Sequence, residues 1–428
     1  MGDSLAFHLL FIIFGVALPL LISGTELYGI VRHRPKARAL ARTWSKALVI
    51  LFVVGAVSGT VISLQFNLFW PRFLEFINKP VGLAFALEGT FFMIEAVFLS
   101  VYMLSWDRFK PFYHWLCSVP VVIGSMGSAV FITTVNAFMN QPRGFLLGQD
   151  GNPIESNTFQ AMFNPATYTT VVHSILAYIT ACAFVFLSIY IWLYLKKKHK
   201  ADRPWFKQVI VALAIVGLVF GILTAIVGDQ SGKYLAKHEP YKLAAAEGLM
   251  ETQRNAPLTI GGIVKDGEIK YGIEIPSLLS FLAANNFGAE VKGLNEFPED
   301  ERPSLVVHYF FDGMVLCGIL IVLIPSLFLG LLVFKKRRAA YSKPMLIALM
   351  SCGVLAVFAT MFGWLLTELG RQPYIVHGYL KVADALTTNQ AVIKFGFIFP
   401  LFFLTLLVLA VVILRKTMNH QAVRDVDA

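Results

Sequence analysis

Nine stretches of this chain are apolar over about 20 residues each, the length an α-helix needs to cross a bilayer. They fall at roughly 5–30, 47–66, 82–104, 115–139, 169–195, 207–228, 308–334, 344–366 and 392–414. Within hydrocarbon the backbone must satisfy its own N–H and C=O groups inside each segment, so these runs have to be helices. Of the 428 residues, 57% are hydrophobic and only 14% charged, too little charge for a soluble domain of this size. The expected fold class is an all-α polytopic membrane protein with about nine transmembrane helices in bundles. The first run is too long for a cleaved leader, and no small-residue cleavage site stands out.

The net charge of +10 would suit a nucleic-acid partner, but its placement argues against one. Basic residues crowd into 31–46, 106–110, 196–207, 335–343 and the C-terminal tail, 22 Lys and Arg in all. The alternate short connections hold only Arg72, Lys79, Arg143, Arg371 and Lys381. By the positive-inside rule this gives an N-terminus outside and a cytoplasmic C-terminus, which agrees with an odd number of spans. Cys117, Cys182, Cys317 and Cys352 are scattered through the spans without a CxxC pair, and read as buried apolar residues.

Three regions follow. Residues 1–228 hold the first six spans, 229–307 form a polar segment on the outer side, and 308–428 hold the last three spans and a cytoplasmic tail. A polar segment of that length is unusual as a plain connection and points to function. Within it KLAAAEGLMET and IPSLLSFLAANN read as short helices.

Few residues in the spans carry chemistry. LAFALEGTFFMIEAVFLSVY places Glu88 and Glu95 in one apolar helix, where a charge near the bilayer centre costs about 3 kcal/mol or more. Seven apart, they share a face and stand about 10 Å apart along the axis. Glu95 lies nearer the cytoplasm, where a buried acid marks a proton, ion or cofactor site; the competing reading is an interhelical hydrogen bond. His8, Glu88, His173 and Met314 each lie just inside the outer start of a span, and Glu368 at the outer end of another. Potential metal ligands from five helices thus share one outer layer. A His/Met pair is a low-spin haem ligand set, although a lone His at a helix end is more often interfacial and a lone Met packing. In GWLLTELGRQPY, Glu368 and Arg371 have helical ion-pair spacing, and the arginine also suits a propionate. Lys242 and Glu247, five apart on opposite flanks of a short helix, read by spacing alone as an ordinary solvated surface. No GxxxxGK[ST], HExxH or GxSxG is present.

Over essentially its whole length the sequence resembles subunit I of the cytochrome bd-type quinol oxidases. The likeness is carried by SLAFHLLFIIFGVALPLLISGTEL, VSGTVISLQFNLFWPRF, LEGTFFMIEAVFLSVYMLSWDRF and FNPATYTTVVH. GDQSGKYLAKHEPYKLAAAEGLMET, YGIEIPSLLSFLAANNFGAEVKGLNEFP and GWLLTELGRQP add the most specific pieces. The resemblance implies that His173 and Met314 are the axial ligands of a low-spin haem b. It implies that His8 and Glu368 are ligands in an oxygen-reducing pair, a high-spin haem b and a haem d or third haem b, with Glu88 close to or on one iron. Which iron each takes stays open. Lys242 and Glu247 match quinol-binding residues, and Trp364 and Arg371 match positions beside the haems. The outer segment resembles the family's shorter form. Two departures are Tyr374, where GRQPW is usual, and Asp312, where some members carry an arginine able to meet a propionate.

The implied activity is oxidation of a quinol, ubiquinol or menaquinol, at the outer face and reduction of dioxygen to water with cytoplasmic protons. This generates a proton-motive force without a pump, in a prokaryotic cytoplasmic membrane. The implied partners are subunit II, small accessory subunits and membrane lipid. The alternatives are a branch member with only b-type haems and a proton-coupled transporter; the inverted halves expected of many transporters are not seen.

Overall fold

The computed structural model describes residues 2–196 and 201–421, with side chains as far as 416. Lys197, Lys198, Lys200 and Arg424 of the basic connections lie outside the described residues. Among the described residues nine helices are long and apolar enough to cross a membrane. Those used below are α1 (Gly2–Val31), α2 (Pro35–Phe69), α3 (Pro71–Leu104), α4 (Pro111–Asn140), α5 (Pro165–Leu195) and α6 (Arg203–His238). The short α7 (Pro240–Glu247) and α8 (Leu278–Ala284) follow, then α9 (Val306–Val333), α10 (Lys343–Leu369) and α11 (Ile398–Gln421).

Proline opens α2, α3, α5, α6, α7 and α10. It suits the first turn because its missing N–H would find no intrahelical partner there. Asn164 caps α5, accepting from the Ala166 N–H at 2.9 Å. Several helices outrun their apolar stretch. The hydrophobic run of α6 ends near 228, but the helix continues to His238. The Lys233–Asp229 ion pair, 2.5 Å and one turn apart, supports this polar extension, and Lys237 and His238 face the negative end of the dipole.

The chain forms two compact units. The first contains α1, α2, α3, α4 as far as Val135, and α11. In its core α1 packs along α2, and Phe7 of α1 meets Phe403 of α11. The second runs over Asn136–Arg143 and Phe163–Ala385, with α5, α6, α9 and α10 packed together.

The polar segment belongs to the second unit and is ordered. Both expected short helices are present, α7 and α8. Between them Leu258–Ile260 pairs antiparallel with Ile273–Ile275, and Ile263–Lys265 with Glu268–Lys270. Asp266 and Gly267, both at positive φ, make the two-residue turn. Gly248 ends α7 in the left-handed region at φ 66, and a Cβ there would lie 2.4 Å from Ile269. Cys182, Cys317 and Cys352 are buried thiols as expected, while Cys117 is half-buried.

Candidate functional site

In the first unit His8 points Nδ1 at the Ser58 hydroxyl, 2.7 Å away. Ser58 gives its own proton to the Gly55 carbonyl, so its oxygen accepts from His8. That arrangement leaves Nε2 with its lone pair free, the form a metal ligand requires. The ring edge faces Gly59, where a Cβ would come within 3.2 Å of Cε1. Glu88 accepts from Ser128 at 3.0 Å. Glu95 is buried, and its Oε1 has no hydrogen-bond partner. Opposite it α4 presents Gly124, whose missing side chain lets the two backbones meet; a Cβ would stand 2.7 Å from the Glu95 nitrogen.

In the second unit His173 and Met314 occupy matching places, each eight residues from the first residue of its helix. Each also faces a glycine. A Cβ at Gly228 would lie 3.2 Å from His173 Cε1, and one at Gly363 would lie 3.0 Å from Met314 Sδ. His173 Nδ1 is buried without a partner. Trp364 lies half-buried on α10, one turn before Glu368.

Both oxygens of Glu368 are held. Asn136 Nδ2 donates to Oε1 at 2.7 Å, and Arg371 donates to Oε2 at 2.7 Å. Arg371 is almost completely buried, yet its Nε and Nη1 have no partner. Buried guanidinium N–H groups left unpaired are costly and call for an anion. A haem propionate would fit that need, and His8 Nε2, His173 and Met314, each beside a glycine, offer donor atoms that would hold haem iron. Among the described residues no three His, Cys, Asp or Glu side chains gather to hold a metal ion between them.

The bonds at Glu368 continue toward α7. Asn140 donates to Asn136, at 2.9 Å to its carbonyl and 3.2 Å to its side-chain oxygen. Lys242 of α7 donates to Asn140 Oδ1 at 2.5 Å and to the Glu239 carboxylate. Lys242 and Glu247 are 3% and 4% exposed, so the solvated surface expected from spacing alone is corrected. They are buried because α7 packs against α6, α9 and the Gly370 turn after α10, a tertiary contact that local spacing does not report. The two side chains do not share partners. Glu247 keeps Oε2 unpaired, and burial, with the nearby Asp312 charge, pushes its carboxyl up to about 8. Burial lowers the Lys242 ammonium, against the opposing pull of Glu239.

Both departures from the family pattern have partners. Asp312 accepts from the Gly261 N–H at 2.5 Å, and His308, beside it, spans the Ala246 and Gly261 carbonyls at 2.8 and 2.9 Å. Together they strap the polar segment onto α9. Tyr374 donates to Glu301 at 3.0 Å. Glu239, Asn136, Asn140 and His308 escaped the sequence reading. The asparagine pair, one turn apart at the end of an apolar helix in TTVNAFMNQP, was the signal available for two of them.

Residues 1–422 match the family described as cytochrome bd terminal oxidase subunit I. A solved structure, that of the bd oxidase from Geobacillus thermodenitrificans, superposes with a TM-score of 0.92 at 38% identity, covering 98% of this chain and 96% of that one. A Bacillus subtilis (strain 168) chain provisionally named cytochrome bd menaquinol oxidase subunit I is 37% identical over 91% of this chain and 88% of its own length. Cytochrome bd ubiquinol oxidase subunit 1 of the same organism is 29% identical over 99% of this chain and 94% of its own. Sequence and fold agree, and the chain belongs to the cytochrome bd terminal oxidase subunit I family, with an electron-transferring, oxygen-reducing role.

Proposed function

We propose that this chain is the haem-bearing subunit of a quinol:oxygen oxidoreductase, oriented N-terminus out and C-terminus in, and paired with a second membrane subunit. The observation that carries the reading is the pair of half-buried Glu368 and buried Arg371. The carboxylate is fixed through both oxygens, and the arginine keeps two unpaired N–H groups for an anion.

Haem, when bound, supplies one-electron carriage and the oxygen-binding iron. His173 and Met314 would hold the low-spin haem b. His8 and Glu368 would hold the high-spin pair, with Glu88 beside it, and Arg371 would neutralise a propionate. Ser58 keeps His8 in the ligating tautomer. Lys242 and Glu247 would receive the quinol in the polar segment. Lys242 hydrogen-bonds one quinol oxygen, and the Glu247 carboxylate takes a quinol proton and passes it to the outer water. Glu95 carries protons from the cytoplasmic side toward the oxygen-reducing end, so charge separation needs no pump.

The test is a reduced-minus-oxidised spectrum of the purified complex, together with quinol-driven oxygen consumption. A long-wavelength haem d band or a spectrum of b-type bands alone decides the haem content, and the printed names of the relatives make menaquinol and ubiquinol the two donors to compare. Absence of haem bands from an intact complex would overturn the proposal.

A further inference from the structure

At the end of the first unit away from His8 and Glu88, three titratable side chains from three helices meet in a closed cluster. Glu26 of α1 is fully buried, accepting from the Tyr102 hydroxyl of α3 at 2.8 Å and lying 2.6 Å from Nδ1 of His114 on α4. The other histidine nitrogen stands 3.0 Å from the Tyr102 carbonyl. None of these residues belongs to the haem or quinol sites.

Two alignments connect the cluster to those sites. On α3, Glu88, Glu95 and Tyr102 recur every seven residues, on one face and about 10 Å apart along the axis. On α4, His114, Ser118, Ser125 and Ser128 share a face turned toward α1 and α3. Ser118 is 2.8 Å from the Ser23 hydroxyl of α1, Ser125 reaches the Val16 carbonyl at 3.5 Å, and Ser128 ends the row on Glu88. Hydroxyl and carboxyl groups are thus spaced at intervals along α3 and α4 from the cluster to the level of Glu88, without direct hydrogen bonds from one to the next.

The opposite end approaches water. Trp106 lies over His114 with ring centroids 4.1 Å apart, and Arg42 lies over Trp106 while pairing with the exposed Asp107 at 2.5 Å. The charged and titratable groups facing the cluster are Arg38 and the Cys117 thiol, toward Tyr102, and Asp107, which senses His114, Arg42 and Lys46. Arg38 Nε and Trp106 Nε1 are buried without partners, so the surroundings hold spare donors.

We propose that Glu26, Tyr102 and His114 form the inner proton-loading station of the route that serves Glu95. One proton enters from the inner water onto the His114–Glu26 pair and one leaves toward Glu95. No electron moves, and the pair returns to its starting charge. A role in merely pinning three helices explains the arrangement less well. Apolar packing joins helices without the several kcal/mol per ion that burying charge costs, and Ser23–Ser118 already ties α1 to α4. The inference rests on the proposed function of Glu95.

The experiment follows proton uptake with a pH indicator during a single turnover of the reduced, purified complex, in the variants Glu26→Gln, Glu26→Asp, Tyr102→Phe and Glu95→Gln. Glu26→Gln should keep wild-type haem spectra and quinol-driven low-spin reduction, slow proton uptake at least about tenfold and change the pH profile of turnover. Glu26→Asp should recover much of the rate, and Tyr102→Phe should slow uptake while preserving assembly. If Glu26→Gln fails to assemble, Tyr102→Phe decides. Wild-type uptake across the pH range in assembled Glu26→Gln, or in Tyr102→Phe where that variant decides, overturns the station. With Glu95→Gln impaired, only the station falls; with Glu95→Gln also normal, the route along α3 falls with it.

Discussion

Lys242 Nζ donates to Asn140 Oδ1 at 2.5 Å, and through Asn136 the same chain of bonds reaches Glu368. A residue assigned to quinol is therefore fixed by the strand of contacts that also fixes an assigned haem ligand. Asn140→Leu would leave the buried ammonium with Glu239 alone, a loss of about 1–3 kcal/mol for a buried unpaired donor. The expected outcome is a quinol KM raised about tenfold or more. Haem content should stay near wild type, and an artificial donor should still drive oxygen reduction. Steady-state kinetics with quinol and with that donor, run side by side, check it. Lys242→Ala should behave likewise and more severely.

Glu247 sets a pH dependence. Its carboxyl is raised from 4.5 to about 8 by burial, so the proton-accepting form grows as pH rises through about 8. Quinol oxidation should accelerate over that window, and Glu247→Gln should be slow and flat. Stability has the opposite sign. The raised value contributes stability that is fully present below 4.5 and lost as pH rises through about 8. Thermal unfolding at pH 6 and pH 9 should differ less in Glu247→Gln than in wild type.

His173→Ala should abolish the low-spin haem spectrum while leaving the high-spin haems detectable. Met314→Leu should convert that haem to a high-spin form open to external ligands. The glycines opposite supply a finer test. Gly363→Val would drive a side chain into Met314 Sδ, where even a Cβ would be 3.0 Å away, and should raise the high-spin fraction without replacing a ligand. Absorption and electron paramagnetic resonance spectra of the three variants measure this, and an unchanged low-spin signal throughout would remove the assignment.

Glu88 and Glu95 should separate. Glu95→Gln is expected to lose most oxygen reduction and perturb the high-spin haems, with quinol-driven low-spin reduction surviving. Glu88→Gln, which alters the carboxyl bonded to Ser128, should disturb the high-spin haem spectra more directly. Oxygen consumption beside haem spectra in membranes of each variant checks the pair. Full turnover and unchanged proton uptake in Glu95→Gln would return that residue to a structural role.

The sequence alone determined the nine helices, because hydrocarbon permits few other structures and each run had to be long enough to cross it. It also exposed Glu88, Glu95, His8, His173 and Met314, since polar or sulfur-bearing groups in apolar helices stand out against their surroundings. Tertiary structure decided what those groups touch. Nothing in the spacing of Lys242 and Glu247 reports that α7 is buried, since burial there comes from helices distant in the chain. Nor could periodicity join Asn136 to Glu368 or Glu26 to His114, pairs separated by 232 and 88 residues. Helical spacing fixes which residues share a face; which faces meet is settled by packing across helices, and there the hydrogen bonds of this protein were chosen.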